Sequence, residues 1–263
     1  MEAVTGIFRW LPEAQRAFAD LRSTGMPEDR VSLLTPGKID AELKSTPAVA
    51  AEQPGMGKAI GALVGASAGV LGGPLAVAAI LPGVGPITAI GLVGGAIMAA
   101  AGATIGAVAG ARLENQMTVG LPEDELFVYE DALRKGRSVV IALADDEAAA
   151  SRLRDRLRAQ GAEAVDAARE QWWIGLRGAE GEHYTTLGKN FSQDEKFYRL
   201  GFESALHAKA RCKEYDQILN EMSAEIEDLQ QQYPGVEVAE PYRLGYERGR
   251  DYYQQLCNKS KAA

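Results

Sequence analysis

Two stretches of this chain have residue types at spacings that chemistry can use. Gly65-Ala66-Ser67-Ala68-Gly69 has the Gly-x-Ser-x-Gly spacing of a nucleophile elbow, in which a sharp strand-to-helix turn lifts a serine hydroxyl toward a base. Gly55-Met56-Gly57-Lys58 has the glycines and lysine of a phosphate-cradling loop. It lacks both the earlier glycine at the required spacing and a Ser or Thr after the lysine. Cys212, Cys257, His183 and His207 are all the cysteines and histidines, too few and too scattered for a disulfide framework or a zinc site. The elbow lies inside a glycine-spaced apolar run where no strand precedes it. Ser67 is therefore read as bonding back to its own helix backbone, and Lys58 as an anchor that snorkels to a membrane interface. No residue is assigned to catalysis, to a cofactor or to a metal, and the chain is expected not to be an enzyme.

The element around these motifs is the run Ala59–Ala111, which contains no Asp, Glu, Lys or Arg and is bounded by Lys58 and Arg112. Two apolar arms, 59–80 and 87–111, flank Leu81-Pro82-Gly83-Val84-Gly85-Pro86, whose prolines and glycines stop and reverse a helix. This pattern predicts a helical hairpin with arms of roughly 30 Å, the thickness of a bilayer's hydrocarbon core. Gly57, Gly61, Gly65, Gly69 and Gly73 recur every fourth residue, as do Gly102, Gly106 and Gly110. That spacing clears one helix face for close approach of a second helix. The glycines are the candidate helix-packing and oligomerisation residues, and Lys58 and Arg112 the candidate membrane-interface residues. If the hairpin spans a bilayer, its uncharged turn lies on the far side and both termini are cytoplasmic. Modest apolar content and Pro74 leave a second reading open, burial among copies in a soluble cytoplasmic assembly.

The flanks are of a different kind. Residues 3–36 read as strand, helix and strand: an apolar run to Trp10, a helix from Pro12 to Thr24 with Ala14, Ala17, Phe18 and Leu21 on one face, and Val31–Leu34. After Arg112 come a helix from Pro122 to Lys135, a strand Ser138–Leu143, a helix Asp146–Gln160 and a strand from Glu163 to about Ala168. Two such units fit an α+β fold with a four-stranded antiparallel sheet covered by two helices on one face, the ferredoxin-like arrangement. The expected organisation is 1–36 and 113–172 as the halves of that domain, 37–57 as a linker, 58–112 as the hairpin and 173–263 as a helical tail.

Thr5-Gly6-Ile7-Phe8, Glu13-Ala14, Ala17, Gly25 and Asp29-Arg30-Val31-Ser32 resemble the opening of the general stress protein 17M-like family of bacteria. The glycine-rich insertion, Gly120-Leu121-Pro122-Glu123, and Val139-Val140-Ile141 before Asp145-Asp146-Glu147 are similar to its second half. The resemblance covers residues 2–168 and lies in the order of parts. It implies a stress-associated, non-enzymatic protein and brings no functional residues.

The tail contains an echo: Tyr198-Arg199-Leu200-Gly201-Phe202-Glu203 recurs as Tyr242-Arg243-Leu244-Gly245-Tyr246-Glu247. Two readings stand. The copies are two helix segments packing on each other, or Tyr198, Arg199, Tyr242 and Arg243 dock a protein partner. Between them Ala208, Cys212, Tyr215, Leu219, Met222, Ile226, Leu229 and Tyr233 alternate by four and three, predicting a helix seam. Trp172-Trp173 reads either as an aromatic belt or as packing of the tail on the sheet.

A net charge of −8 with no basic stripe argues against nucleic acid. The expected partners are other copies of the chain and a lipid bilayer or lipid-like ligand. The leading expectation is a non-catalytic, membrane-associated oligomeric scaffold assembling through the glycine-spaced hairpin. The alternative is a soluble oligomeric adaptor subunit whose pooled hairpins enclose a hydrophobic chamber for lipid or quinone within a larger complex.

Overall fold

The computed structural model describes residues 2–37, 76–81, 83–91, 124–211 and 213–262. The chain divides into two units, one of Met1–Glu123 with Val128–Ala168 and one of Asp124–Phe127 with Arg169–Ala263.

The first unit is an antiparallel sheet with helices packed on it. Strands β1 (Glu2–Phe8), β2 (Val31–Pro36), β3 (Ala76–Leu81), β4 (Gly85–Ile90) and β5 (Ser138–Ala144) lie in the order β1-β5-β2-β4-β3. Helix α1 (Leu11–Ser23) follows β1, α2 (Leu126–Arg134) precedes β5, and α3 (Glu147–Ala159) follows it. The sheet buries both faces. On one, Val4, Phe8, Val31, Leu33, Val140 and Ala142 meet Ala14, Ala17 and Leu21 of α1 and Ala150, Leu153 and Leu157 of α3. These helical residues recur at three- and four-residue spacing, the stripe of a helix that lies on a sheet. On the other face α2 is held by a 2.9 Å hydrogen bond between Tyr129 Oη and Thr5 Oγ1. Being buried on both sides, β5 is a continuous apolar run with no polar alternation. Asp146 caps α3, its carboxylate accepting from the Ala149 amide at 2.7 Å.

The reading of Ala76–Ile90 needs correction. Ala76–Ile90, which the sequence assigns to the facing ends of two helical arms, is a β-hairpin, with Ala76 paired to Ile90 and Leu81 to Gly85. The chain does reverse between Leu81 and Gly85, but between strands. Gly83 and Gly85 supply the left-handed backbone of a tight turn (φ 75° and 106°), and Pro86 cannot continue a helix from its own interior. β4 then pairs with β2, Leu33 to Ile90 and Pro36 to Ile87. Arg134 Nε donates to Gly83 O at 2.9 Å, which ties the turn to α2. The turn is thus held within the folded unit rather than at the far tip of two helical arms. The glycine-spaced residues Gly57 to Gly73 and Gly102 to Gly110, together with Lys58 and Arg112, lie outside the described residues.

The strand expected from Glu163 to Ala168 is reduced to one residue. Ile7 and Glu163 exchange both backbone hydrogen bonds, at 3.0 and 2.9 Å, and at Val165 the chain enters α4 (Val165–Thr186). Asp166 sits in that helix's first turn, where the dipole favours an acid, and two alanines follow.

The second unit is helical, built from α4 after Ala168, α5 (Phe191–Ser204), α6 (Tyr215–Gln232) and α7 (Ala239–Ala262). α6 begins at Tyr215 behind a reciprocal cap of Glu214 and Gln217. Ala208 of the expected seam therefore lies before the helix, and Cys212 lies outside the described residues. Ile218, Met222 and Leu229 form the buried face, whereas Leu219 points outward.

Candidate functional site

The tail's repeated motif comes together in space. α5 and α7 cross at their glycines: a Cβ built on Gly201 overlaps the Tyr242 carbonyl oxygen, and one built on Gly245 overlaps that of Tyr198. Each copy thus presents its glycine to the other copy's tyrosine backbone. One turn further along α7, Gly249 lies against the backbone of Phe202 in the same way. Backbone-to-backbone approach gains dispersion contacts along the crossing, and any side chain there would force the helices apart. The within-helix pairing also repeats. Arg199 bridges Glu203 at 2.6 Å and Arg243 bridges Glu247 at 2.6 Å, both one turn on.

The tyrosines face inward. Tyr198 and Tyr242 are 1% and 0% exposed. Tyr198 Oη donates to Glu180 Oε2 at 2.8 Å. Arg248 of α7 donates to the same carboxylate through Nε at 3.0 Å and the guanidinium's terminal nitrogen at 3.2 Å. Glu180, itself buried, is thereby satisfied and joins α4, α5 and α7. Tyr242 Oη lies 2.8 Å from Ser204 Oγ and 2.9 Å from Glu225 Oε2. Tyr246 Oη lies 3.1 Å from the carbonyls of both Ala210 and Lys213. Burial first, and then the neighbouring carboxylate, raise the Tyr198 phenol well above its ordinary range, and burial chiefly does the same for Tyr242. These phenols are held protonated at neutral pH, as hydrogen-bonding struts.

The paired tryptophans belong to the same core. Trp172 lies 4.8 Å from Phe127 and 5.9 Å from Phe202 between ring centroids. Trp173 lies 5.8 Å from Phe202 and donates from Nε1 to Glu195 at 3.0 Å. At 3% and 2% exposure neither ring is a membrane belt, and both pack within the helical unit. Arg177 grips Glu195 with two hydrogen bonds, of 2.6 and 2.7 Å, and holds its carboxyl below the ordinary carboxylate range.

Of the candidate docking residues, the two tyrosines are thus consumed internally. Arg199 bridges Glu170 at 2.7 Å besides Glu203, while Arg243 keeps 43% of its side-chain exposure. The sequence signal for this crossing was the repeat itself. Gly249 was missed, although Gly245 and Gly249 stand at the four-residue spacing sought in the apolar run. Among the described residues no group of His, Cys, Asp and Glu is placed to hold a metal ion. No protein-family profile, curated protein or solved structure matches the chain.

Proposed function

We propose that this protein is a non-catalytic, membrane-associated scaffold that assembles into an oligomer through its uncharged, glycine-spaced segment. One observation carries the reading: the charge-free run Ala59–Ala111 is anchored at its middle, through β3 and β4, to the edge of a folded sheet. Its two flanks therefore leave a rigid support. Glycine every fourth residue in those flanks suits close helix contact, between copies or within lipid. The sheet supports the finer reading of a ferredoxin-like split βαβ core, with β1, α1 and β2 as one half, β5, α3 and Glu163 as the other, and β3–β4 added beside β2. The stress-associated setting rests on the sequence resemblance alone.

A soluble oligomeric adaptor that pools these segments around lipid or quinone is the second reading. The β-hairpin favours it, because β3 removes the end of the first expected spanning arm. Among the described residues no helix is long and apolar enough to cross a membrane.

Assembly is tested by sedimentation velocity of the full chain in mild detergent and in buffer. Gly65→Leu places a bulky group on the proposed contact face and should shift the oligomer toward monomer. Ala62→Leu, rotated about 100° per residue from the stripe, should leave it intact. An unchanged oligomer in Gly65→Leu removes the glycine-packing mechanism.

A further inference from the structure

The sheet unit has two unlike ends. Phe8 pairs with Ser138, Leu34 with Val139, Pro36 with Ile87 and Leu81 with Gly85. The β1–α1 loop, the β3–β4 turn, the start of β5 and the close of α2 therefore share one end. The close of α3 joins them, because Glu163 bonds to Ile7. At this end Trp10 and Leu11 stand 59% and 43% exposed, on a protein whose other two tryptophans are buried. The Arg9 guanidinium lies 5.3 Å from the centre of the Trp10 ring. Pro86 is exposed and Val84 half-buried in the neighbouring turn.

Charge follows the same polarity. Arg9, Arg134, Lys135, Arg137 and Arg158 gather at the Trp10 end, with Lys135 and Arg158 keeping 54% and 70% of their side-chain exposure. The acids there are Glu13, Asp131, which bridges Arg134 and Lys135, Asp155, which bridges Arg158, and Glu163, which bridges Arg137. The opposite end carries Glu2, Asp29, Asp145, Asp146 and Glu147 against Arg30 and Arg154. A basic end on a chain of net charge −8, tipped with Trp and Leu, has the chemistry of a membrane-interface contact. Cations meet lipid phosphates while the indole and the aliphatic side chain enter the headgroup layer.

We infer that this end of the sheet docks peripherally on an anionic lipid bilayer, with Trp10 and Leu11 inserted at the headgroup level. The inference rests on the membrane-associated reading and names the face that meets the lipid. Trp10 is its own probe. The full chain is mixed with vesicles of phosphatidylcholine, with and without phosphatidylglycerol, whose acyl chains are brominated, and both tryptophan quenching and flotation are followed. Trp10 should be quenched in anionic vesicles only, the protein should float more strongly on those than on neutral ones, to which its uncharged segment alone holds it, and salt at roughly 1 M, where the Debye length is about 3 Å, should weaken the quenching and remove that difference. Trp10→Ala should abolish the quenching and weaken binding about tenfold. Lys135→Glu should weaken it by a smaller factor, and Ile174→Ser, at an exposed apolar position of the helical unit, should change nothing. Flotation with an unquenched Trp10, or a Trp10→Ala variant that floats like the parent, overturns the docking face while leaving membrane association standing. Equal flotation on neutral vesicles overturns the anionic partner. No flotation under any condition overturns both the face and the membrane reading.

Discussion

Gly201 and Gly245 show how much a single missing Cβ decides in this molecule. At each, a methyl group would lie less than 3 Å from backbone atoms of the partner helix, 2.7 Å from the Tyr242 carbonyl carbon for Gly201 and 2.8 Å from that of Tyr198 for Gly245. Backbone cannot rotate away as a side-chain tip can. Gly245→Ala should therefore cost about 3 kcal/mol of stability, the upper part of the range for overpacking. Gly175 is the control: its built Cβ meets nothing within 4 Å, so Gly175→Ala should gain about 1 kcal/mol from helix propensity. Urea denaturation reads both, and equal effects at the two sites would show that the crossing is not tight. The buried phenols make a second prediction. Folding raises the pKa of Tyr198 and Tyr242 above the unfolded value of about 10. Their contribution to stability is complete below that pH and is lost as pH climbs from there toward the folded-state values. Tyrosinate absorbance should thus lag the tyrosine count in the native protein and appear in step with alkaline unfolding. Glu195 works in the opposite sense. Its lowered carboxyl pKa contributes stability above the ordinary carboxylate range that is lost as pH falls through the folded value.

At the scale of elements, the β3–β4 hairpin departs furthest from the helical arms that the sequence suggests. Ala78 and Thr88 are register partners, so after replacement of Cys212 and Cys257 by Ser, the pair Ala78→Cys with Thr88→Cys should close a disulfide readily. The one-residue slip, Ala78→Cys with Ala89→Cys, places the thiols on opposite faces and should not. Mass spectrometry of oxidised protein distinguishes them, and efficient closure of both would argue against this register. The hairpin was hidden in the sequence because a run of mostly Ala, Val, Ile and Gly, with no charged residue and Thr88 alone polar, has no period by which helix and strand separate. β1, α1, β2, β5 and α3 were legible because their signals were independent: Ala14, Ala17 and Leu21 at helical spacing, Asp146 as a cap, and Val139-Val140-Ile141 as a buried strand. The seam on α6 was half legible, since alternate fours and threes fit either Ile218 or Leu219. Packing selects Ile218, which is buried in one core with Met222, Leu229, Tyr242 and Tyr246. The repeated Tyr-Arg-Leu-Gly motif was visible as a repeat, yet nothing in the sequence indicated that each glycine would rest on the other copy's tyrosine.

The whole molecule comprises a sheet unit, an uncharged segment fixed to its edge and a helical unit closed by a repeated motif. Because the β3–β4 turn is held by Arg134, it stays on the side of the sheet. A Val84→Cys thiol, with Cys212 and Cys257 replaced by Ser, should then resist a membrane-impermeant reagent in whole cells and react after permeabilisation; labelling in intact cells would return the turn to the far side. Membrane association through the uncharged segment is the central claim, and fractionation of a lysate tests it most directly. The full chain should sediment with the membranes, remain there through a carbonate wash that strips peripheral proteins, and run in mild detergent larger than its 28.1 kDa monomer. Recovery of the protein in the supernatant before any wash, at whatever size, would contradict it.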